Sequence, residues 1–142
     1  MRLVGFNFNK INVEKFKNIT GKFNINTNMD ISEINSLKQD VFKTKEEFIE
    51  VKFSYTLVYE PDFAKIELAG NIIFSVESKM ARDILKQWKE KKISEDFRIG
   101  LFNVILRKSN LKALQLEEDM NLPIHLSLPM IRKEDIKKEN DK

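Results

Sequence analysis

The chain has 142 residues, of which 42% are hydrophobic and 33% charged, the size and composition of one globular domain that buries roughly two-thirds of the surface its unfolded chain exposes. No apolar run approaches the roughly 20 residues that cross a bilayer as a helix, and the lack of cysteine excludes disulfides, thiolate metal sites and a cysteine nucleophile. The net charge of +3 is a small difference between 25 basic and 22 acidic residues spread through the chain, and does not by itself point to a nucleic acid.

Val4, Phe6 and Phe8 alternate with small or polar neighbours, the period of a half-buried strand. The phase changes before Ile11 and Val13, and a bulge or bend near Asn9 and Lys10 restores it. These opening residues show no continuous apolar stretch with a small-residue cleavage site, so no secretory signal is read and the expected compartment is the cytoplasm. The segment Lys22 to Met29 has the same period, with Phe23, Ile25 and Met29 directed inward. Residues 31–47 are read as a connection, in which Ile31, Ile34, Leu37 and Val41 form a helical turn or a crossing loop and Lys43 to Glu47 face solvent.

The strongest signal is Ile49, Val51, Phe53, Tyr55, Leu57 and Tyr59, six alternating positions of a long strand. Pro61 and Asp62 supply a turn, and Ile66, Leu68, Gly70, Ile72, Phe74 and Val76 complete an antiparallel hairpin. Gly70 marks a bulge or a close approach of another backbone. After Val76 the period becomes helical: Ser78 caps a helix that runs to about Lys92, with Met80, Ile84, Leu85 and Trp88 on one side. A second helix begins at Ser94 and passes Leu114. Phe97, Leu101, Val104, Ile105 and Leu111 form its stripe, while Ile99, Phe102, Leu106 and Ala113 lie outside it. A helix apolar on more than one side is buried on more than one side, which points to a second copy of the chain or a folded-back segment.

Leu122, Ile124, Leu126 and Leu128 alternate between Pro123 and Pro129, which oppose both helix and central strand. They are read as an extended strap laid over an apolar surface or as an edge strand. One α+β domain thus spans residues 1–130, a four-stranded antiparallel sheet followed by two C-terminal helices packed on one face. Residues 131–142, charged apart from Ile131, Ile136 and Asn140, are read as a mobile tail.

Few residues carry chemistry. His125 is the only histidine and has no second histidine or cysteine with which to share a metal, so a structural or surface role is expected. Glu117, Glu118 and Asp119 lack the spacing of a calcium loop and are read as a solvated helix end. Four glycines form neither a dinucleotide fingerprint nor a P-loop, and no serine sits in a nucleophile elbow. The reading is therefore of a non-enzyme that needs no cofactor and no metal. Lys79, Arg82, Lys86, Lys89, Lys91 and Lys92 make the first helix basic around Trp88, but Trp88 belongs to its apolar stripe and no aromatic RNA-binding motif accompanies it. On this reading nucleic acid is not the expected partner.

The hairpin from Phe48 to Val76 with its Gly70-Asn71-Ile72 step, the long helix from about Glu95 to Glu117, and the Asn121-Leu122-Pro123 step after it together resemble the SecB preprotein-chaperone family, over residues 3–129. The resemblance implies a dimer or dimer of dimers whose apolar grooves hold unfolded clients without nucleotide. The groove residues it suggests are Phe42, Phe48, Tyr55 and Tyr59 near the strand and crossover, with Ile124, Leu126 and Leu128 from the strap. The well-known members are acidic and use that surface to reach the export motor, whereas this chain is basic. It fits better as an ATP-independent holdase acting alone or for a special partner. Other readings are a non-enzymatic protein-interaction domain and, after it, an RNA-binding module using the helix at 79–92.

Overall fold

Strands β1 (Arg2–Lys15), β2 (Asn24–Leu37), β3 (Glu46–Glu60) and β4 (Ala64–Glu77) form one antiparallel sheet in the order β1-β4-β3-β2, in a computed structural model that describes residues 1–37 and 46–140. β3 and β4 are the hairpin read from the sequence, in register from Glu46 opposite Glu77 to Tyr59 opposite Ala64. Its turn contains a cis Glu60–Pro61 bond and Asp62 at φ 72. Because β1 and β2 lie on opposite edges, residues 16–23 cross the end of the sheet, with Gly21 at φ 76.

Two strands bulge where the apolar pattern slips phase. Phe8 pairs with Gly70 and Lys10 with Ala69, leaving Asn9 as the extra residue, as the spacing of Phe8 and Ile11 predicts. In β2, Ile31 pairs with Phe53 and Glu33 with Lys52, so Ser32 is extra and both Ile31 and Ile34 turn inward. Residues 31–37 are therefore strand, not connection. The bulge breaks the two-residue period that would have announced it. Of the remainder of that segment, Val41 and Lys43 lie outside the described residues, and Glu46 and Glu47 open β3. Gly70 is a close-approach position: a Cβ there would sit 2.0 Å from the carbonyl oxygen of Asn7.

β4 runs straight into α1 (Ser78–Lys89), so the N-cap is Glu77, still extended, one residue earlier than expected. Ser94 caps α2 (Glu95–Asp119), accepting from the Phe97 amide at 3.4 Å, and Glu95 and Asp96 occupy the positive end of the helix dipole. Both helices cover one face of the sheet. Ala81, Ile84, Phe97, Leu101 and Ile105 pack on Ile49, Val51, Phe53, Ile72 and Phe74, and the Phe74 and Phe97 rings meet edge to face at 6.0 Å. Farther along, Ala113 and Leu122 join Tyr55, Leu57, Tyr59, Ile66 and Leu68, with Ile19 of the crossover against them. The other face carries ion pairs, among them Lys52 with Glu33 at 3.2 Å and Lys65 with Glu67 at 2.8 Å.

The inward line of α2 differs from the expected stripe. Phe97, Leu101, Ile105, Ser109, Ala113 and Glu117 are buried, each four residues after the last. Four residues advance a helix about 40° beyond a full turn, so the line winds round the helix, as packing on a twisted sheet requires. It passes through small and polar residues that hydrophobicity does not mark, while Leu111 is 57% exposed.

Within the charged tail, Lys133–Asn140 form a short helix, α3. Its start is set by Asp135, whose carboxylate accepts from the Arg132 amide at 3.0 Å while its own amide donates to the Arg132 carbonyl.

Candidate functional site

The strap begins with a defined helix stop. Asn121 adopts φ 53, its amide donates to the Glu118 carbonyl at 3.4 Å, and the Leu122 amide donates to the Glu117 carbonyl at 2.8 Å. This is a Schellman ending with asparagine in the left-handed position, and Pro123 prevents the helix from resuming. Leu122, 6% exposed, fixes the turn to the core.

Three residues later the strap is anchored again, by His125. Its Nδ1 lies 2.8 Å from Glu117 Oε1, and its amide donates to Glu117 Oε2 at 2.9 Å. The Tyr59 hydroxyl donates to the same carboxylate and lies 2.9 Å from the Pro123 carbonyl. On the far side of the ring, Nε2 lies 3.0 Å from Asn110 Oδ1 and 3.2 Å from Tyr55 Oη, and the Tyr55 hydroxyl donates to Asn110 Oδ1 at 2.6 Å. The imidazole is 4% exposed and the carboxylate 0%. Burial first, and then the Glu117 carboxylate, hold the Tyr55 and Tyr59 hydroxyls far above the ordinary phenol range, so both stay protonated donors. The network closes strand, helix and strap over one another and leaves no room for a substrate at His125.

This corrects two expectations. Glu117 is not part of a solvated helix end, although Glu118 and Asp119 beside it are exposed. The strap does not lay its leucines on the surface beneath. His125 turns inward, and Ile124, Leu126 and Leu128 turn out at 39%, 39% and 53% exposure, followed by the exposed Met130 and Ile131. Beyond the buried Leu122, the polar contacts of His125 rather than a fully buried apolar side chain hold this segment.

The residues expected to line a groove therefore divide. Ile124, Leu126 and Leu128 are at the surface. Tyr55 and Tyr59, both 0% exposed, are core residues whose hydroxyls are engaged in the network, so they do not line an open groove. Their inward phase on β3 places them beneath α2. Phe48 is half-buried and pairs with Leu37 and Ser75, on the sheet face away from the helices. Phe42 lies outside the described residues.

Two recesses flank the strap. One, of about 400 Å³, is walled by Leu114, Gln115, Glu118, Asp119, Ile124 and Leu128. The other, of about 530 Å³, opens between the crossover and the end of α2, against Ile19, Phe23, Leu122 and Pro123. A third, of about 470 Å³, lies at the other end of the molecule between β2 and the start of α2, with Trp88, Arg98 and Phe102 in its wall. Among the described residues no group of three histidine or acidic side chains is placed to hold a metal, and no helix is long and apolar enough to cross a membrane. Along α1 a shallow depression mixes Lys86 with Asp83 and Glu90, which interrupts the basic face.

No family model matches the chain, and no curated protein matches it in sequence. Among solved structures, its fold is similar to that of a SecB-like chaperone of Mycobacterium tuberculosis in complex with a ChAD peptide from the HigA1 antitoxin. The TM-score is 0.54 at 12% identity, over 92% of this chain and 89% of that one. The likeness is one of fold, a four-stranded antiparallel sheet with helices after it.

Proposed function

We propose that this protein is an ATP-independent holdase that captures unfolded or preprotein segments on the apolar row of the strap and in the recesses beside it. The observation that carries this reading is the outward row Ile124, Leu126, Leu128, Met130 and Ile131, held open by a buried polar anchor on a SecB-like fold. Binding of this kind needs no covalent step, cofactor or metal, and the chain is proposed to act as a non-enzyme in the cytoplasm.

Magnitudes agree with capture by many weak contacts. Covering the exposed part of Ile124, Leu126 and Leu128 is worth about 1 kcal/mol each, half or less of what full burial of such a side chain gives. Three together contribute about a hundredfold in affinity. A useful holdase then needs several sites on one client, which self-association into a dimer or tetramer supplies.

The test is dilution of a chemically denatured client into buffer without nucleotide, with aggregation followed by light scattering. The wild type is expected to suppress aggregation, and the triple variant Ile124→Asp, Leu126→Asp, Leu128→Asp to lose that effect. Ile124 and Leu126 are only 39% exposed, so circular dichroism must show the triple variant folded, and Leu128→Asp alone, at 53% exposure, is expected to weaken suppression where the triple variant does not fold. Equal suppression by the triple variant, or none by the wild type, would overturn the reading.

A further inference from the structure

The strap exposes apolar side chains and buries a polar one: it bends at His125 and Leu126, the His125 ring turns in, and Ile124, Leu126 and Leu128 stay 39%, 39% and 53% exposed. The Glu117 carboxylate lies at the end of the inward line of α2 and is fully buried. It accepts from the Tyr59 hydroxyl and the His125 amide and lies 2.8 Å from His125 Nδ1, and two of those three contacts belong to the strap. Were the strap to leave, a buried charge would keep one partner, an arrangement strongly disfavoured in the interior. The charge therefore holds the strap.

We propose that Glu117 and His125 are positioning residues of the strap, whose contact keeps its apolar row facing outward, and that neutralising the Glu117 carboxylate releases it. The groups facing this contact are Tyr55 and Tyr59 from β3, Asn110 from α2, and, lining the recess beside Glu117, Lys15 of β1 and Glu118. Lys15 donates to the Met120 carbonyl at 3.3 Å, and Asn110 and Tyr55 meet the His125 ring at Nε2, on the side away from Glu117. The latch itself is independent of any client. Only its consequence, that release removes the binding row, rests on the holdase reading.

The experiment is amide hydrogen exchange on the full chain without client, comparing wild type with Glu117→Gln. Exchange at His125 and its strap neighbours is expected to accelerate about tenfold or more, the factor expected for loss of a hydrogen bond to a charged group. Amides of the β3 and β4 core should keep their protection. The one histidine of the chain gives a second readout by nitrogen NMR: its ring resonances, set in the wild type by Glu117 at Nδ1 and Asn110 at Nε2, are expected to move toward those of a solvent-exposed imidazole in Glu117→Gln. Should Glu117→Gln not fold, His125→Gln removes the ring from the strap side and is expected to give the same local acceleration. Unchanged strap exchange, or parallel loss of protection through the whole sheet, would overturn the latch. If the strap is released in Glu117→Gln while the wild type captures no denatured client, the latch stands and the holdase reading falls.

Discussion

Glu117 Oε1 and His125 Nδ1 meet at 2.8 Å with almost nothing of either side chain exposed, and through that contact the last turns of α2 hold a segment that would otherwise be a loose connection. Tyr59 completes the arrangement by donating to the same carboxylate. Tyr59→Phe removes this donor without changing the packed ring and is expected to cost about 1–3 kcal/mol, the usual penalty for under-satisfying a buried charged acceptor. Urea unfolding measures it, and a loss below about 0.5 kcal/mol would show that the hydroxyl contributes little.

The same burial makes an alkaline prediction. Tyr55 and Tyr59 are the only two tyrosines, and both are shifted upward from the ordinary phenol value of 10.0. A group whose folded value is raised contributes stability that is fully present below its unfolded value and declines as pH rises above it. Stability should therefore fall above about pH 10, and tyrosinate absorbance should appear only together with unfolding. Tyrosinate absorbance rising with an ordinary phenol midpoint in protein that circular dichroism shows to be folded would contradict the buried network.

Gly70→Ala places a methyl against the Asn7 carbonyl, at a position where the two backbones leave no space. Overpacking a well-filled site costs about 1–3 kcal/mol, and here the obstacle is backbone, so the upper end or more is expected. Thermal unfolding checks the size. Faster amide exchange confined to β1 and its partners on β4 would identify the damaged pairing.

At acid pH the exposed face of the sheet responds. Lys10 and Lys65 both bond Glu67 and hold its carboxyl down at about 2, against an ordinary value of 4.5. A depressed carboxylate contributes stability above its unfolded value that is lost as pH falls through its folded one, so the contribution disappears between about pH 4.5 and about 2. The side chain is 24% exposed, and solvent screening limits the contribution to less than about 1 kcal/mol. Glu67→Gln should flatten this part of the stability profile slightly, and added salt should have the same effect on the wild type.

Self-association has a direct measure in solution mass. Ile99 and Leu111 on α2, and Leu3, Val4 and Ile11 on the edge strand β1, are each at least 42% exposed. An open edge strand with apolar side chains can pair with a second copy of the chain. Light scattering is expected to report a dimer or tetramer. A monomer at micromolar concentration would remove the multivalency on which efficient capture depends.

Much of this fold was legible because its central strands obey one rule without interruption. From Ile49 to Tyr59 every second residue faces the core, and the long run leaves no ambiguity of phase. Where a residue is inserted, legibility depends on the pattern of the residues after it. The slip between Phe8 and Ile11 sits between two readable halves, whereas the slip between Ile31 and Ile34 led into a polar stretch and concealed the end of β2. The inward line of α2 was half legible, since Phe97, Leu101 and Ile105 are apolar but Ser109 and Glu117 are not.

The sequence by itself determined the strands of the hairpin, the capped start of the long helix, the phase slip near Asn9 and the α+β class, because each arises from short-range periodicity and local backbone chemistry. Only the tertiary structure decided which way the strap faces. His125, Glu117, Asn110, Tyr55 and Tyr59 are separated by up to 70 residues, and a buried polar contact between distant residues leaves no periodic trace in any one segment. Apolar burial alone predicts Ile124, Leu126 and Leu128 inside. A carboxylate placed by α2 in a dry interior, needing donors that the strap can supply, reverses that preference and turns them out.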